Sequence, residues 1–210
     1  MRTGFAELDA EGGILKDNVI NTVLCETQYA KTLFISKIIS CFLSDGGITY
    51  YIDLDTSFAS SLIQNLNQMD QIDDIVIFTP DHRSLDDAIA TVCSTTHPDP
   101  KLIVFDSAKT VYHLFAPEMR YADVNRRLGL YLALLRGFAA REHGTVISTS
   151  LQRGRPSSSH DMIRSYAGGR VLLKNSDVLI LLSGGPDSLR LEVLKHQNQN
   201  LVGRVFSIHL

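Results

Sequence analysis

The chain has 210 residues, 44% of them hydrophobic and 20% charged, with a net charge of −3. This length suits one α/β domain spanning 1–210 rather than two, and the slight acidity excludes a diffuse attraction to nucleic acid, so any DNA contact must come from a local cluster of cations. Cys25, Cys41 and Cys93 lack metal spacing and are too few for a disulfide scaffold, which points to a reducing, cytoplasmic setting; polar residues follow Met1, so no signal peptide is expected, and no apolar run nears the roughly 20 residues of a membrane span.

Short apolar runs alternate with helical spacing along the first two thirds. Residues 19–24 read as a strand, and 31–43, with Phe34, Ile35, Ile38, Ile39 and Phe42, as a helix stopped by Gly46 and Gly47. A strand follows at 48–53, a helix at 60–69, a strand at 75–78 and a helix marked by Leu85, Ile89 and Val92. The run 102–105 ends in Asp106 and is typical of a strand buried on both faces. Val124, Leu128, Tyr131, Leu135 and Phe138 mark a long amphipathic helix ended by Gly144, and 145–149 is a strand. This alternation predicts a mainly parallel sheet with helices on both faces. The last third reads as short strands at 171–174, 178–183, 189–194 and 204–208, with a hairpin turn at Gly184-Gly185-Pro186-Asp187, so the sheet should finish antiparallel. Between the halves, 153–169 is rich in Ser, Gly and Arg and reads as a mobile loop.

Four places can carry chemistry. Cys25-Glu26-Thr27-Gln28-Tyr29-Ala30-Lys31-Thr32 occupies the place of G-x-x-x-x-G-K-[ST], which wraps backbone N–H groups around phosphate, with the lysine on the outer phosphates and the hydroxyl on magnesium. Lys31 and Thr32 are kept, but Cys25 and Ala30 replace both glycines, and a Cβ there crowds the backbone's approach to a phosphate; the same residues also read as a lysine on a capped helix. Asp106 lies at a strand's C-terminal edge, where α/β sheets bind ligands, or it caps the following turn. Asp53 and Asp55 end the second strand, where one can orient a water or both can serve a turn. Arg153, Arg155, Arg164 and Arg170, with His160 and Tyr166, suit phosphate contacts and base stacking, or form a solvated loop.

Taken in order, these features resemble the RecA/RadA/RadB recombinase family over nearly the whole chain. Thr3-Gly4-Phe5, Leu8-Asp9 and Gly12-Gly13-Ile14 look like the opening of the RadA, RadB and KaiC-like cores. Residues 51–58 are similar to Y-I-D-T-E-G-x-F, which puts Asp55 where the family has a catalytic glutamate. Residues 102–107 match the L-V-V-V-D-S strand that carries the magnesium acid, here Asp106. The 123–138 helix looks like the one after the first DNA loop, and Ala167-Gly168-Gly169 resembles the segment closing the second. Ile77-Phe78-Thr79-Pro80 and the ending from Lys195-His196 to Phe206 look especially like RadB.

The resemblance implies a RecA-like P-loop core. Cys25, Ala30, Lys31, Thr32 and Asp106 would hold ATP, Thr32 and Asp106 the magnesium, and Asp55 and Ser150 would act on the γ-phosphate. Arg153, Arg155, Arg164, Tyr166 and Arg170 would meet DNA. Thr149-Ser150 stands where the family has N-Q, so the γ-phosphate sensor is shortened, and the helical DNA-binding domain and F-x-x-A polymerisation segment ahead of the core are expected to be absent. Three functions follow: an accessory adaptor in recombination and DNA repair, binding DNA and a RecA/RadA-type partner with weak or absent ATP hydrolysis; an active DNA-dependent ATPase of the RadB type; or a KaiC-like regulatory domain without DNA. ATP and magnesium binding are expected to be weak, and the partner is expected on a sheet edge or the long helix.

Overall fold

The computed structural model describes residues 1–56, 72–152 and 163–209. Eight strands form one sheet in the order β3-β2-β4-β5-β1-β6-β7-β8. They are β1 (Ile20–Cys25), β2 (Ile48–Asp53), β3 (Ile75–Phe78), β4 (Lys101–Asp106), β5 (Thr145–Leu151), β6 (Val178–Gly184), β7 (Ser188–Lys195) and β8 (Val205–His209). β3 through β6 pair in parallel, and β7 and β8 close the sheet antiparallel, as the sequence pattern predicts. The helices are α1 (Ala6–Asp9), α2 (Gln28–Ser44), α3 (Leu85–Ser94), α4 (Ala108–Phe115), α5 (Tyr121–Glu142) and α6 (Gly169–Asn175). The expected helix at 60–69 lies outside the described residues. No helix among the described residues is long and apolar enough to cross a membrane.

Strand alternation sorts the core into two layers. Val23, Tyr51, Leu102, Val104 and Ile147 face α2, packing on Phe34, Ile35, Ile38 and Ile39. Ile20, Leu24, Ile52, Ile103, Phe105 and Val146 face the other way, beneath α3, α4, α5 and α6. Because both faces are covered, β1 and β4 are buried at every position, which is why 102–105 reads as an unbroken apolar run; β1 also buries Asn21 and Thr22, which bond to Lys16 and Ser176.

The opening motif is structural. The Asp9 carboxylate accepts from Thr3 N at 2.7 Å, Thr3 Oγ1 at 2.8 Å and Gly4 N at 3.1 Å. This folds the N-terminus over the sheet and stacks Phe5 on Phe34, ring centroids 5.5 Å apart.

Three local expectations are corrected. Residues 171–174 are helix α6, not a strand: a four-residue apolar run fits either element, and here Leu172 is buried while Leu173 is exposed. The Lys195 ammonium donates to the Leu173 and Ser176 carbonyls at 3.0 and 2.6 Å, closing that helix's C-terminal end. The left-handed residue ending α5 is His143 (φ 53°), while Gly144 lets the chain pass close to β4, since a Cβ there would sit 3.3 Å from the Lys101 carbonyl oxygen. The described end of the 153–169 loop is packed structure: Ile163–Ser165 is a 3-10 turn, and Tyr166 and Ala167 are buried.

Candidate functional site

Parallel pairing brings the C-terminal ends of β1, β2, β4 and β5 together, with Asp53 level with Asp106. The Lys31 ammonium reaches into this edge from the first turn of α2. It lies 2.6 Å from Asp106 Oδ1 and 2.7 Å from Asp55 Oδ2. Lys31 and Asp106 are 1% and 0% exposed, and Asp55 is 13% exposed. Four hydroxyls complete the cluster. Tyr51 donates to Asp106 Oδ2 at 2.5 Å and Thr149 to Asp106 Oδ1, while Ser107 (3.2 Å) and Thr110 donate to Asp55 Oδ1.

The electrostatics follow from burial and pairing. Burial alone would lower the Lys31 pKa, but Asp106 and Asp55 outweigh it and hold it above the ordinary lysine value. Burial alone would raise Asp55, but the Lys31 charge and the bonds from Lys31, Thr110 and Ser107 hold it below the usual carboxylate value. The Tyr51 phenol is pushed well up by burial and by Asp106. The cluster is therefore one ammonium between two carboxylates whose oxygens have internal donors.

The helix start differs from a phosphate cradle. Only Glu26 and Thr27 lie between β1 and α2, because α2 begins at Gln28, ahead of Lys31. Thr27 is extended (φ −128°, ψ 151°), and its side chain accepts from Ala30 N at 3.2 Å, an ordinary N-cap. The turn that would carry free N–H groups toward a phosphate is thus wound into helix and capped by its own threonine. Cys25, at the first glycine's place, is buried at the end of β1; its carbonyl accepts from Gln152 N at 3.0 Å, and burial pushes its thiol pKa up. Ala30, at the second glycine's place, packs in the α2-side core. The Gln28 amide donates to the Thr32 hydroxyl at 3.4 Å. Ser150 is buried and donates to the Ala167 carbonyl at 3.3 Å.

The structure therefore brings together Lys31, Asp55 and Asp106, and puts Thr32 and Ser150 on other partners. In this arrangement the residues do not fit a nucleotide with its cation: the lysine and both acids are spent on one another, and the helix terminus is capped. Tyr51, Thr149, Ser107 and Thr110 gain roles that their sequence positions did not carry. Thr27 had a visible signal, a threonine just ahead of a helical pattern.

A second site lies where α4, α5 and α6 meet. A cleft of about 350 Å³ is lined by Tyr112, Tyr121, Asn125, Tyr166, Arg170 and the Gly168-Gly169 turn. Tyr121 is 63% exposed and stacks on Tyr112 with ring centroids 6.2 Å apart. Tyr166 is buried rather than presented on a loop, and its hydroxyl has no hydrogen-bond partner among the described residues. Arg170 is exposed at the cleft. Arg153 and Arg155 lie outside the described residues, and only the backbone of Arg164 is described.

No protein-family model matches the chain, and no curated protein matches it in sequence. Among solved structures, it is similar to the crystal structure of the RadB recombinase, with a TM-score of 0.76 over 99% of this chain and 94% of that one, at 17% sequence identity. The fold is RecA-type, as the sequence motifs imply.

Proposed function

We propose that this chain is an accessory RecA-fold protein of homologous recombination and DNA repair, which works by binding DNA and a RecA/RadA-type partner and hydrolyses ATP weakly or not at all. The observation that carries this reading is the Lys31–Asp55–Asp106 cluster beside a helix start capped by Thr27. A site whose one cation is held between its own two acids leaves the fold as a scaffold for contacts elsewhere.

The α4–α5–α6 cleft supports the DNA part. Among the described residues it joins an exposed aromatic face on Tyr121, an unpaired hydroxyl on Tyr166 and the exposed cation of Arg170. Stacking and phosphate contact are what single strands require. Arg153, Arg155 and Arg164 precede Tyr166 and Arg170 in sequence and would add phosphate contacts. Such contacts are indifferent to base sequence. A groove of about 480 Å³ between α3 and α5 supports the partner part: Met119, Ala90, Cys93, Leu130 and Leu134 line it. The cytoplasm is the proposed setting, and 1–210 the proposed single domain.

Single-strand affinity measured across salt, beside steady-state ATPase assays with and without DNA, tests the reading. We expect modest binding that magnesium–ATP does not change. Its log–log salt slope should be about −2 if three arginines meet phosphates, at roughly −0.7 per contact. Replacing Arg153, Arg155 and Arg164 with alanine should flatten that slope, and Tyr121→Ala should weaken binding about tenfold, the loss of one stacked base. Robust DNA-stimulated hydrolysis would overturn the accessory reading in favour of an active ATPase. Absence of any DNA binding would favour a regulatory domain without a DNA role.

A further inference from the structure

We infer that Lys31 is an internal counter-ion, with its ammonium standing where Asp55 and Asp106 would otherwise require a divalent cation, so that the site is a structural clamp which takes neither metal nor nucleotide. The inference goes beyond the accessory reading and does not rest on DNA binding.

The geometry carries it. The end of β4 supplies Asp106 Oδ1, and the turn after β2 supplies Asp55 Oδ2. Both close on one point, Lys31 Nζ, at 2.6 and 2.7 Å. Two carboxylates converging in this way are a natural start for a magnesium site, which would draw them to about 2.0–2.1 Å and add further oxygens. Here the charge at that point is covalently tethered to α2. Every oxygen of the two carboxylates has an internal donor: Tyr51 and Thr149 also donate to Asp106, and Ser107 and Thr110 to Asp55. A cation entering would have to displace the ammonium and reorient several hydroxyls. A phosphate entering would meet two carboxylates and a helix start whose Ala30 N–H already serves Thr27.

The clamp joins the base of α2 to the turn after β2, to β4, to β5 through Thr149 and to α4 through Thr110. Removing one member of a buried charge cluster leaves the others uncompensated, which costs far more than the cluster's net worth. That asymmetry separates a clamp from an idle catalytic lysine, since an idle lysine is removed at little cost to stability.

The test is thermal unfolding of the full chain and three conditions of ligand. For the wild type, about 5 mM magnesium, with or without about 5 mM ATP, is expected to leave Tm unchanged, whereas a Kd of about 50 µM would raise it by several degrees. Lys31→Met is expected to lower Tm by about 10 °C. In that variant the acids are released, so magnesium or manganese should recover several degrees. The triple variant K31M/D55N/D106N, which removes all three charges, should unfold within about 5 °C of the wild type. If Lys31→Met does not fold, the triple variant carries the test, and its failure to fold would overturn the clamp. A wild-type Tm raised by magnesium or magnesium–ATP, or a Lys31→Met Tm equal to wild type, would overturn it as well. A folded Lys31→Met that ignores both metals would overturn the assignment of Lys31 to the cation's place. DNA enters none of these measurements, so failure of the clamp and failure of the accessory reading are told apart.

Discussion

A Cβ on Gly169 would fall 1.9 Å from the Ile163 carbonyl oxygen, a backbone atom that cannot swing aside. Its neighbour Gly168 takes φ +70° beside Tyr112. These two glycines let the 3-10 turn pack against the start of α6 and shape one wall of the tyrosine-lined cleft. Gly169→Ala is therefore expected to destabilise the chain by about 1–3 kcal/mol, as overpacking does, and to weaken single-strand binding. Urea unfolding and fluorescence anisotropy measure the two effects. Gly137 is the contrast: it lies inside α5 with nothing near its missing Cβ, so Gly137→Ala should stabilise the chain by about 0.5–1 kcal/mol. Ala167-Gly168-Gly169 was legible in the sequence as a loop-closing segment. The different duties of its glycines were not, because they depend on Ile163 and on Tyr112, a residue remote in the chain.

Among the elements, α2 and α3 begin in ways that yield separate expectations. Thr27→Ala removes the cap of α2 and should cost about 1 kcal/mol in urea unfolding. The same change would leave stability nearly untouched if the helix start were an open cradle with no internal cap. The turn before α3 is closed by Asp81, whose carboxylate accepts from the Ser84 hydroxyl at 2.7 Å and from Ser84 N and Arg83 N at 2.9 and 3.0 Å. The Ser84 hydroxyl and then the two backbone N–H groups hold the Asp81 pKa down to about 2. A carboxylate depressed in the folded state adds stability above its unfolded pKa, and that contribution is lost as pH falls from about 4 to about 2. A carboxyl NMR titration should place Asp81 near 2, and Ser84→Ala should move it toward the ordinary value. α4 is an element missing from the sequence-based expectations: Ala108, Val111, Tyr112 and Phe115 are buried at helical spacing.

At the scale of the molecule, the sheet buries both faces, while α5 keeps an apolar surface that is exposed among the described residues. Leu130 and Leu134 are 56% and 45% exposed on one face of α5, above Cys93, Ala90 and Met119. Apolar side chains one helical turn apart are how one helix anchors another. L130D/L134D should therefore keep the wild-type Tm within about 2 °C, because neither residue is in the core, and should lose binding to a RecA-type partner in gel filtration or calorimetry. An unchanged complex would remove α5 from the partner interface and leave the sheet edges as the remaining expectation.

Strand–helix alternation, the buried run into Asp106 and the short antiparallel ending determined the α/β architecture in advance, because periodicity is local and both faces of this sheet are covered. The same local patterns mark Lys31, Thr32, Asp55, Asp106 and the two replaced glycines, and they are compatible both with a lysine that awaits a phosphate and with one that serves the fold. Only tertiary structure decided that Lys31 closes on Asp106 and Asp55, that Thr27 caps the helix it precedes, that Ser150 turns to Ala167 and that Tyr166 goes inside. The reason is physical: a buried charge takes its character from whichever groups the sheet's register delivers within about 3 Å. Those groups come from β2, β4, β5 and α4, and no window of sequence contains them together.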